Sequence, residues 1–462
     1  MLQTARLRLS IPATIAVVLS PLFVLADVTT GEHVLSIVAF ALILFFVLVN
    51  IAGTSRVARV FLVLSIIASV VLWFRGGDLV DFARVANRSA YLPALIIVLT
   101  ILRFAARQSS LIRDAGEYAV RQPPSRRFAL LASGGHIFGI LLNIGGYILL
   151  LDTAMAGRIA EGTPEHVRKI QLRRITTAAM RGFAATIIWS PLGLSLNLLL
   201  TLIPGVTLLG YMPYGLGVTL TFVLLGWVFD RVQNPTPATG RNIERGGKLS
   251  ALFGLLGVLV AINLAAASVE YFSHLPLRAA ILVVVPLFAL GWAILGAWPA
   301  HGPLRALATL GTRVREGFPG AVNEICIMGA AGYLGIIVVD LIPHEVIDGI
   351  IAGVGLSQGP LAAALTLIVI GTALIGINPL IIATILVTSV VQSGADISPI
   401  LLIISIQVGW ALSLLLSPVT STVIVTAGIT GQPTITVGFR WNGVFGLAVI
   451  ALTVAVFLLI GG

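Results

Sequence analysis

The feature that most constrains this chain is a series of long, unbroken apolar runs. His33–Gly53, Leu249–Phe272, Ala279–Trp298 and Gly443–Ile460 are predominantly apolar, and each has about the 20 residues that a helix needs to cross a bilayer core. No water is available in hydrocarbon to bond a free backbone N–H or C=O, so only helices or closed barrels span it. The runs are continuous and do not alternate, which selects helices. Of the 462 residues 58% are hydrophobic and only 10% charged, against about 25% charged in a soluble domain. The expected class is an all-α membrane protein with about 11 transmembrane helices.

The formal net charge is +10. Nucleic acid is not the expected partner, because the Lys and Arg residues fall in short loops between spans, where they report membrane orientation. Membrane lipid is the partner this composition implies. The one cysteine, Cys326, lies in an apolar stretch; no disulfide framework and no Cys/His metal spacing exist, so neither a metal nor a cofactor is expected. No Gly-x-x-x-x-Gly-Lys-Ser/Thr phosphate loop occurs, so ATP would act only through a partner. Arg6 and Arg8 ahead of Ile11–Ala26 look like a signal peptide, but Pro12 and Pro21 suit a short first span, and we read a retained helix.

Loop charges orient the spans. With the N-terminus cytoplasmic, Arg56 and Arg59 fall inside, as does the basic group Arg103, Arg107, Arg113, Arg121, Arg126 and Arg127. The loops around Asp27–Glu32 and Gly76–Arg88 fall outside with a mixed or acidic balance, as the positive-inside rule asks. The stretch 128–156 breaks simple counting, because Arg158, Arg168, Lys169, Arg173 and Arg174 follow it and both its ends want the cytoplasm. A re-entrant hairpin satisfies that, and Gly139, Asn143, Gly145 and Gly146 supply its broken centre. A second apolar stretch, 359–393, is broken at Gly376-Ile377-Asn378-Pro379 and flanked by uncharged or acidic residues such as Asp396. It dips in from the opposite face. The Pro/Gly-rich linker Gln233–Lys248 divides the halves.

The halves repeat. Met180-Arg181-Gly182-Phe183 leads to Ser190-Pro191, and Gln407-Val408-Gly409-Trp410 leads to Ser417-Pro418 with the same spacing. Asn143 and Asn378 occupy equivalent places in the hairpins, and Asp114 and Asp348 precede them by similar intervals. Interrupted helices at matching positions of two inverted halves point to a carrier's binding site. Pro191 and Pro418 lack an N–H and break their helices; the exposed half-helix N-termini suit an anion. The expected substrate ligands are Asn143, Ser190, Pro191, Gly193, Ser195 and Asn197 from the first half. Asn378, Pro379, Ser417, Pro418, Thr420 and Ser421 come from the second. His136, Gly145 and Thr422 are the candidates for a coupling cation, Na+ or H+, with His136 as a proton carrier. Each has a structural alternative: a proline kink, a hydroxyl bonded back to its own helix, a hydrogen-bonded core histidine. For Arg181 we read a snorkelling or loop-paired arginine in place of an anion ligand.

These features predict a secondary active transporter of a small anionic solute, an organic carboxylate or oxyanion, and not an enzyme. The competing reading is a membrane-embedded enzyme acting on a lipid-linked or polysaccharide substrate. Such enzymes gather charged residues in sizeable outside loops, whereas the longest here, Gly76–Arg88, is short. A channel fits two closed, opposed hairpins less well.

The order of basic loop, hairpin with central Asn and Pro-broken helix, repeated upside down, resembles the ion transporter superfamily of divalent anion–sodium symporters, citrate carriers and arsenite-type exporters. Ser190-Pro191-Leu192-Gly193-Leu194-Ser195-Leu196-Asn197 is similar to that family's Thr-Pro-x-Gly-x-x-x-Asn loop, and Ser417-Pro418-Val419-Thr420 takes the second place. The hairpin tips depart from the carboxylate symporters' Ser-Asn-Thr, reading Leu142-Asn143-Ile144 and Ile377-Asn378-Pro379. The resemblance implies a homodimer in a bacterial-type inner membrane, multi-pass, with elevator-type alternating access. It divides the chain into scaffold helices 1–102, a first core 103–232 (interrupted helix 175–209), the linker 233–248, scaffold 249–320 and a second core 321–462 (interrupted helix 401–431).

Overall fold

A computed structural model describes residues 2–107, 109–120, 124–156, 164–233, 248–341 and 356–460. Most of the predicted linker, together with Arg158, Glu345 and Asp348, lies outside these residues. Every described element is helical. In chain order they are α1 (Leu2–Thr30), α2 (Val34–Val49), α3 (Arg56–Phe74), α4 (Leu79–Ser89), α5 (Tyr91–Ala106) and α6 (Ser110–Val120). Next come α7 (Pro124–Leu142), α8 (Ile144–Ala156), α9 (Glu165–Trp189), α10 (Leu194–Leu202), α11 (Leu208–Gln233) and α12 (Leu249–Ser273). The last are α13 (Leu277–Leu341), α14 (Gln358–Leu374), α15 (Pro379–Gln392), α16 (Pro399–Leu416), α17 (Ser421–Thr430) and α18 (Trp441–Ile460).

Among the described residues 10 helices are long and apolar enough to cross a membrane, one fewer than the sequence predicts. The difference lies in His33–Gly53. There α2 stops at Val49 after 16 residues, the Asn50 side chain donates back to the Phe46 carbonyl at 2.9 Å, and Ile51–Gly53 tighten into a 3₁₀ turn. A second departure is Gly76–Arg88, expected as a loop. It is largely helical, because Asp78 accepts from the Val80 and Asp81 amides while Asp81 accepts from the Asp78 amide, a reciprocal capping box. Within 277–341 the two expected spans are present, Leu277–Gly296 and Gly302–Val338, parted by the non-helical backbone of Gly302, whose φ of 71° needs glycine.

The outer helices turn apolar side chains outward. Ile66 on α3, Leu220 on α11, Phe253 on α12 and Leu447 on α18 are each at least 60% exposed. A surface of that kind is matched by lipid and not by water. The helix α5 and the broken helices α9–α10 and α16–α17 are instead largely enclosed. The chain is a multi-pass membrane protein.

Two helical hairpins flank the enclosed helices. The first, α7–α8, reverses at Asn143, whose φ of 55° is a left-handed value that asparagine tolerates better than most residues. Its arms lie side by side, with Gly134 against Leu150 and Gly146 against the Phe138 carbonyl. The second, α14–α15, reverses through Gly376 at φ 95°, and Asn378 then caps α15 by accepting from the Leu380 amide at 2.9 Å.

Candidate functional site

The two Ser-Pro breaks have the same backbone. Ser190 (φ −71°, ψ 119°) ends α9 and Ser417 (φ −74°, ψ 122°) ends α16, extended as a residue before proline must be. The chain re-enters a helix after Gly193 (φ −84°, ψ 144°) and Thr420 (φ −73°, ψ 146°). Neither re-entry carries a side-chain cap, so the first-turn N–H groups of α10 and α17 keep their full positive character.

Side chains hold the first break open. The Asn197 amide donates to the carbonyls of both Pro191 and Gly193 and accepts from the Tyr91 hydroxyl at 2.7 Å. The Ser195 hydroxyl reaches across the gap to the Ile187 carbonyl at 3.1 Å. At the second break the Ser417 hydroxyl donates to the Ala373 carbonyl of α14 at 2.7 Å, tying the break to its hairpin, and Thr420 donates to the Ser417 carbonyl at 2.9 Å. Gly376 of the second hairpin tip faces Val419, so that tip sits over the second break.

Each hairpin arm packs on its own broken helix, α7 on α9 and α14 on α16, and α9 packs on α16. The remaining arms cross over: α8 meets α17 and α15 meets α10. One hydrogen bond marks the crossing, between the Tyr147 hydroxyl of α8 and the Thr426 hydroxyl of α17 at 2.6 Å. Thr426 passes it on to the Thr422 carbonyl. The predicted residues 190–197 and 417–422 thus lie at two breaks whose helices α9 and α16 pack on each other. Among the described residues no hydrogen bond joins Asn143 to Asn378 or either side chain to a break, and Ser421 faces outward. Gly145 lies beside the Arg107 guanidinium.

His136 has both ring nitrogens occupied. Nε2 accepts from the Trp189 indole at 2.8 Å, which leaves Nδ1 protonated and donating to the Gly182 carbonyl at 3.1 Å. The two rings stack at 5.8 Å. Arg181 neither snorkels nor pairs with a loop. It is 2% exposed, donating to Asn442 Oδ1 at 3.2 Å, to the Gly226 carbonyl at 3.1 Å and to the Trp441 carbonyl at 3.4 Å, with its guanidinium 4.3 Å over the Phe445 ring. It therefore joins α9, α11 and α18. Arg181→Met should lower the midpoint of thermal unfolding in detergent, since three acceptors lose their donor at about 1 kcal/mol or more each. Unchanged stability would show that these bonds are dispensable.

Sequence reasoning missed Tyr91, Tyr147 and Gln407. Gln407 is fully buried with neither amide atom bonded, and the buried Ser190 hydroxyl is likewise without a partner. A polar residue inside an otherwise apolar span was the available signal for Gln407; nothing local marks the two tyrosines.

No family model and no curated protein matches the sequence. Among solved structures, the YdaH transporter of Alcanivorax borkumensis, described as having an unusual topology, is similar with a TM-score of 0.55 at 12% identity. The match covers 88% of this chain and 97% of that one. The chain thus has an all-α membrane fold like that of the YdaH transporter.

Proposed function

We propose that the chain is a secondary active transporter of a small anionic solute, an organic carboxylate or oxyanion, coupled to Na+ or H+ and working by alternating access. The observation that carries this reading is the pair of matching breaks, enclosed by two hairpins. Two uncapped helix N-termini favour an anion. The unbonded Ser190 hydroxyl and Gln407 amide are polar groups that cost about 1–3 kcal/mol each when buried alone, and a solute or its water would satisfy them. The likeness of fold to the YdaH transporter supports transport over enzymatic chemistry. In this reading the hairpins and broken helices form one elevator-like body, related as an inverted repeat and resembling the ion transporter superfamily. The remaining helices form the scaffold of a homodimer in the inner membrane, with the N-terminus cytoplasmic.

Uptake into proteoliposomes, screened across carboxylates and oxyanions under Na+ and H+ gradients, tests this. Asn143→Ala and Asn378→Ala should each reduce uptake about tenfold, the loss of about 1.4 kcal/mol of binding. Asn378→Ser, which keeps the α15 cap, separates helix capping from solute contact. If both alanine variants keep full uptake and ion dependence, the hairpin tips are not the site.

A further inference from the structure

A polar cleft of about 680 Å³ lies between the helices read as scaffold and the broken-helix core. One wall is built by α1, α2 and the α4–α5 junction, the other by the α10–α11 turn and the end of α15, with Arg278 of α13 completing it. The titratable groups on its lining are Asp27, His33, Arg88 and Arg278, with the Tyr91 phenol. Asp27 is already engaged. It is 8% exposed and accepts from His33 Nδ1 at 3.1 Å, the Ser36 hydroxyl at 2.5 Å and the Asn87 amide at 3.0 Å. The arginines have no such company: among the described residues neither Arg88 nor Arg278 forms an ion pair or hydrogen bond. A smaller chamber of about 250 Å³ adjoins the cleft, where Arg278 shares the lining with Glu270, Asn197 and Thr201. Glu270 and Arg278 do not bridge it, and one oxygen of the Glu270 carboxylate is buried without a partner.

Two features convert this lining into a function. The lining sets two arginines against the one carboxylate of Asp27, and a concave surface with that positive balance, walled by low-dielectric protein, concentrates anions. The cleft is also wired to the first break, because Tyr91 lines it and donates to Asn197, the residue that holds the Pro191 and Gly193 carbonyls. We infer that this cleft captures the anionic solute ahead of the breaks, with Arg88 and Arg278 as the attracting charges and the Tyr91–Asn197 hydrogen bond as the link between cleft and break. The inference rests on the proposed transport of an anion. Loop charges place the cleft on the outer face, where the basic cytoplasmic loops do not reach.

Cysteine labelling tests the cleft without a known solute. The only cysteine, Cys326, is buried, so a Cys326→Ala background accepts a single reporter. Thr201→Cys on α10 and Gln392→Cys on α15 give reporters on two separate elements of the lining. The full-length protein in detergent is labelled with a sulfonate-bearing and with a trimethylammonium-bearing methanethiosulfonate. The ratio of the two rates is compared with that for free cysteine. A unit charge about 7 Å away in water changes local ion concentration about threefold, in opposite senses for the two reagents. With a Debye length of about 10 Å in 0.1 M salt, screening halves that interaction, and each arginine should raise the ratio about threefold. Arg88→Gln and Arg278→Gln should each remove that factor, while Arg88→Lys and Arg278→Lys keep it and show that the fold survives. A ratio equal to that of free cysteine at both reporters, unmoved by either Gln variant, overturns the inference. Because no solute is present, this result is independent of the uptake screen: failure of uptake leaves the cleft's selectivity standing, and loss of selectivity leaves transport standing.

Discussion

Alanine at Gly182 is expected to cost the protein most of its folded population. Gly182 sits in the middle of α9, where a Cβ would lie 2.0 Å from the Ala132 carbonyl oxygen of α7. From the other side Gly135 of α7 meets the Ala179 carbonyl in the same way, at 2.4 Å. The two helices therefore touch backbone to backbone, the close approach that small residues allow in membrane packing. Neither obstacle is the end of a flexible side chain, so relief requires the helices to separate. Replacing a helical glycine with alanine would otherwise gain about 1 kcal/mol. The overpacking penalty of about 3 kcal/mol or more outweighs it, and Gly182→Leu should give no folded protein. Gly217→Ala on α11 is the control: nothing lies within 4 Å of its added Cβ, so it should be neutral or mildly stabilising. Thermal unfolding followed by size-exclusion in detergent measures all three. A Gly182→Ala protein as stable as the parent would mean that α7 and α9 are not in backbone contact.

The second large effect is expected at Asn197. Its side chain makes three hydrogen bonds, two to the break carbonyls and one from Tyr91. Asn197→Ala abandons the Pro191 and Gly193 carbonyls and the Tyr91 hydroxyl together. At about 1 kcal/mol for each group left unpaired, amides at the start of α10 should exchange with solvent about a hundredfold faster. Asn197→Asp should not rescue them, because a carboxylate can accept from Tyr91 but cannot donate to the two carbonyls. Tyr91→Phe removes one bond only and should have the mildest effect, about fivefold. Hydrogen exchange over Leu194–Leu199 reads these differences directly. Full protection in the Asp variant would show that the amide does not hold the break.

Much of this architecture is written in residues that act locally. Ser190-Pro191 and Ser417-Pro418 each end a helix, unlike Ser20-Pro21 inside α1, because a glycine or hydroxyl residue follows to let the chain turn. Both breaks were legible in that pattern, and so were the hairpins, from the paired Gly and Asn residues at their centres. What escaped depends on partners distant in sequence. Asn143 and Asn378 look equivalent on paper, yet one adopts a left-handed backbone at its turn and the other caps a helix, with Gly376 taking the left-handed position beside it. Asn197 reads as a ligand in sequence because its bond from Tyr91 crosses 106 positions. The Asp78 and Asp81 pair was legible as a capping box but was masked by the polarity of the segment around it. Arg181 was misread for a related reason: its acceptors are a side chain and two carbonyls on two helices that only tertiary packing brings near.

The crossed hairpin arms carry a consequence for how the molecule divides. The sequence divides at its Pro/Gly-rich linker 233–248, yet α8 ahead of it packs against α17 behind it, and α15 behind it packs against α10 ahead of it. Genetic halves and mechanical halves are therefore different partitions of one molecule. Each break packs against helices drawn from both sides of the linker. Under the proposed alternating access, a rearrangement that carries one break is expected to carry the other with it, like two hands each gripping the opposite wrist.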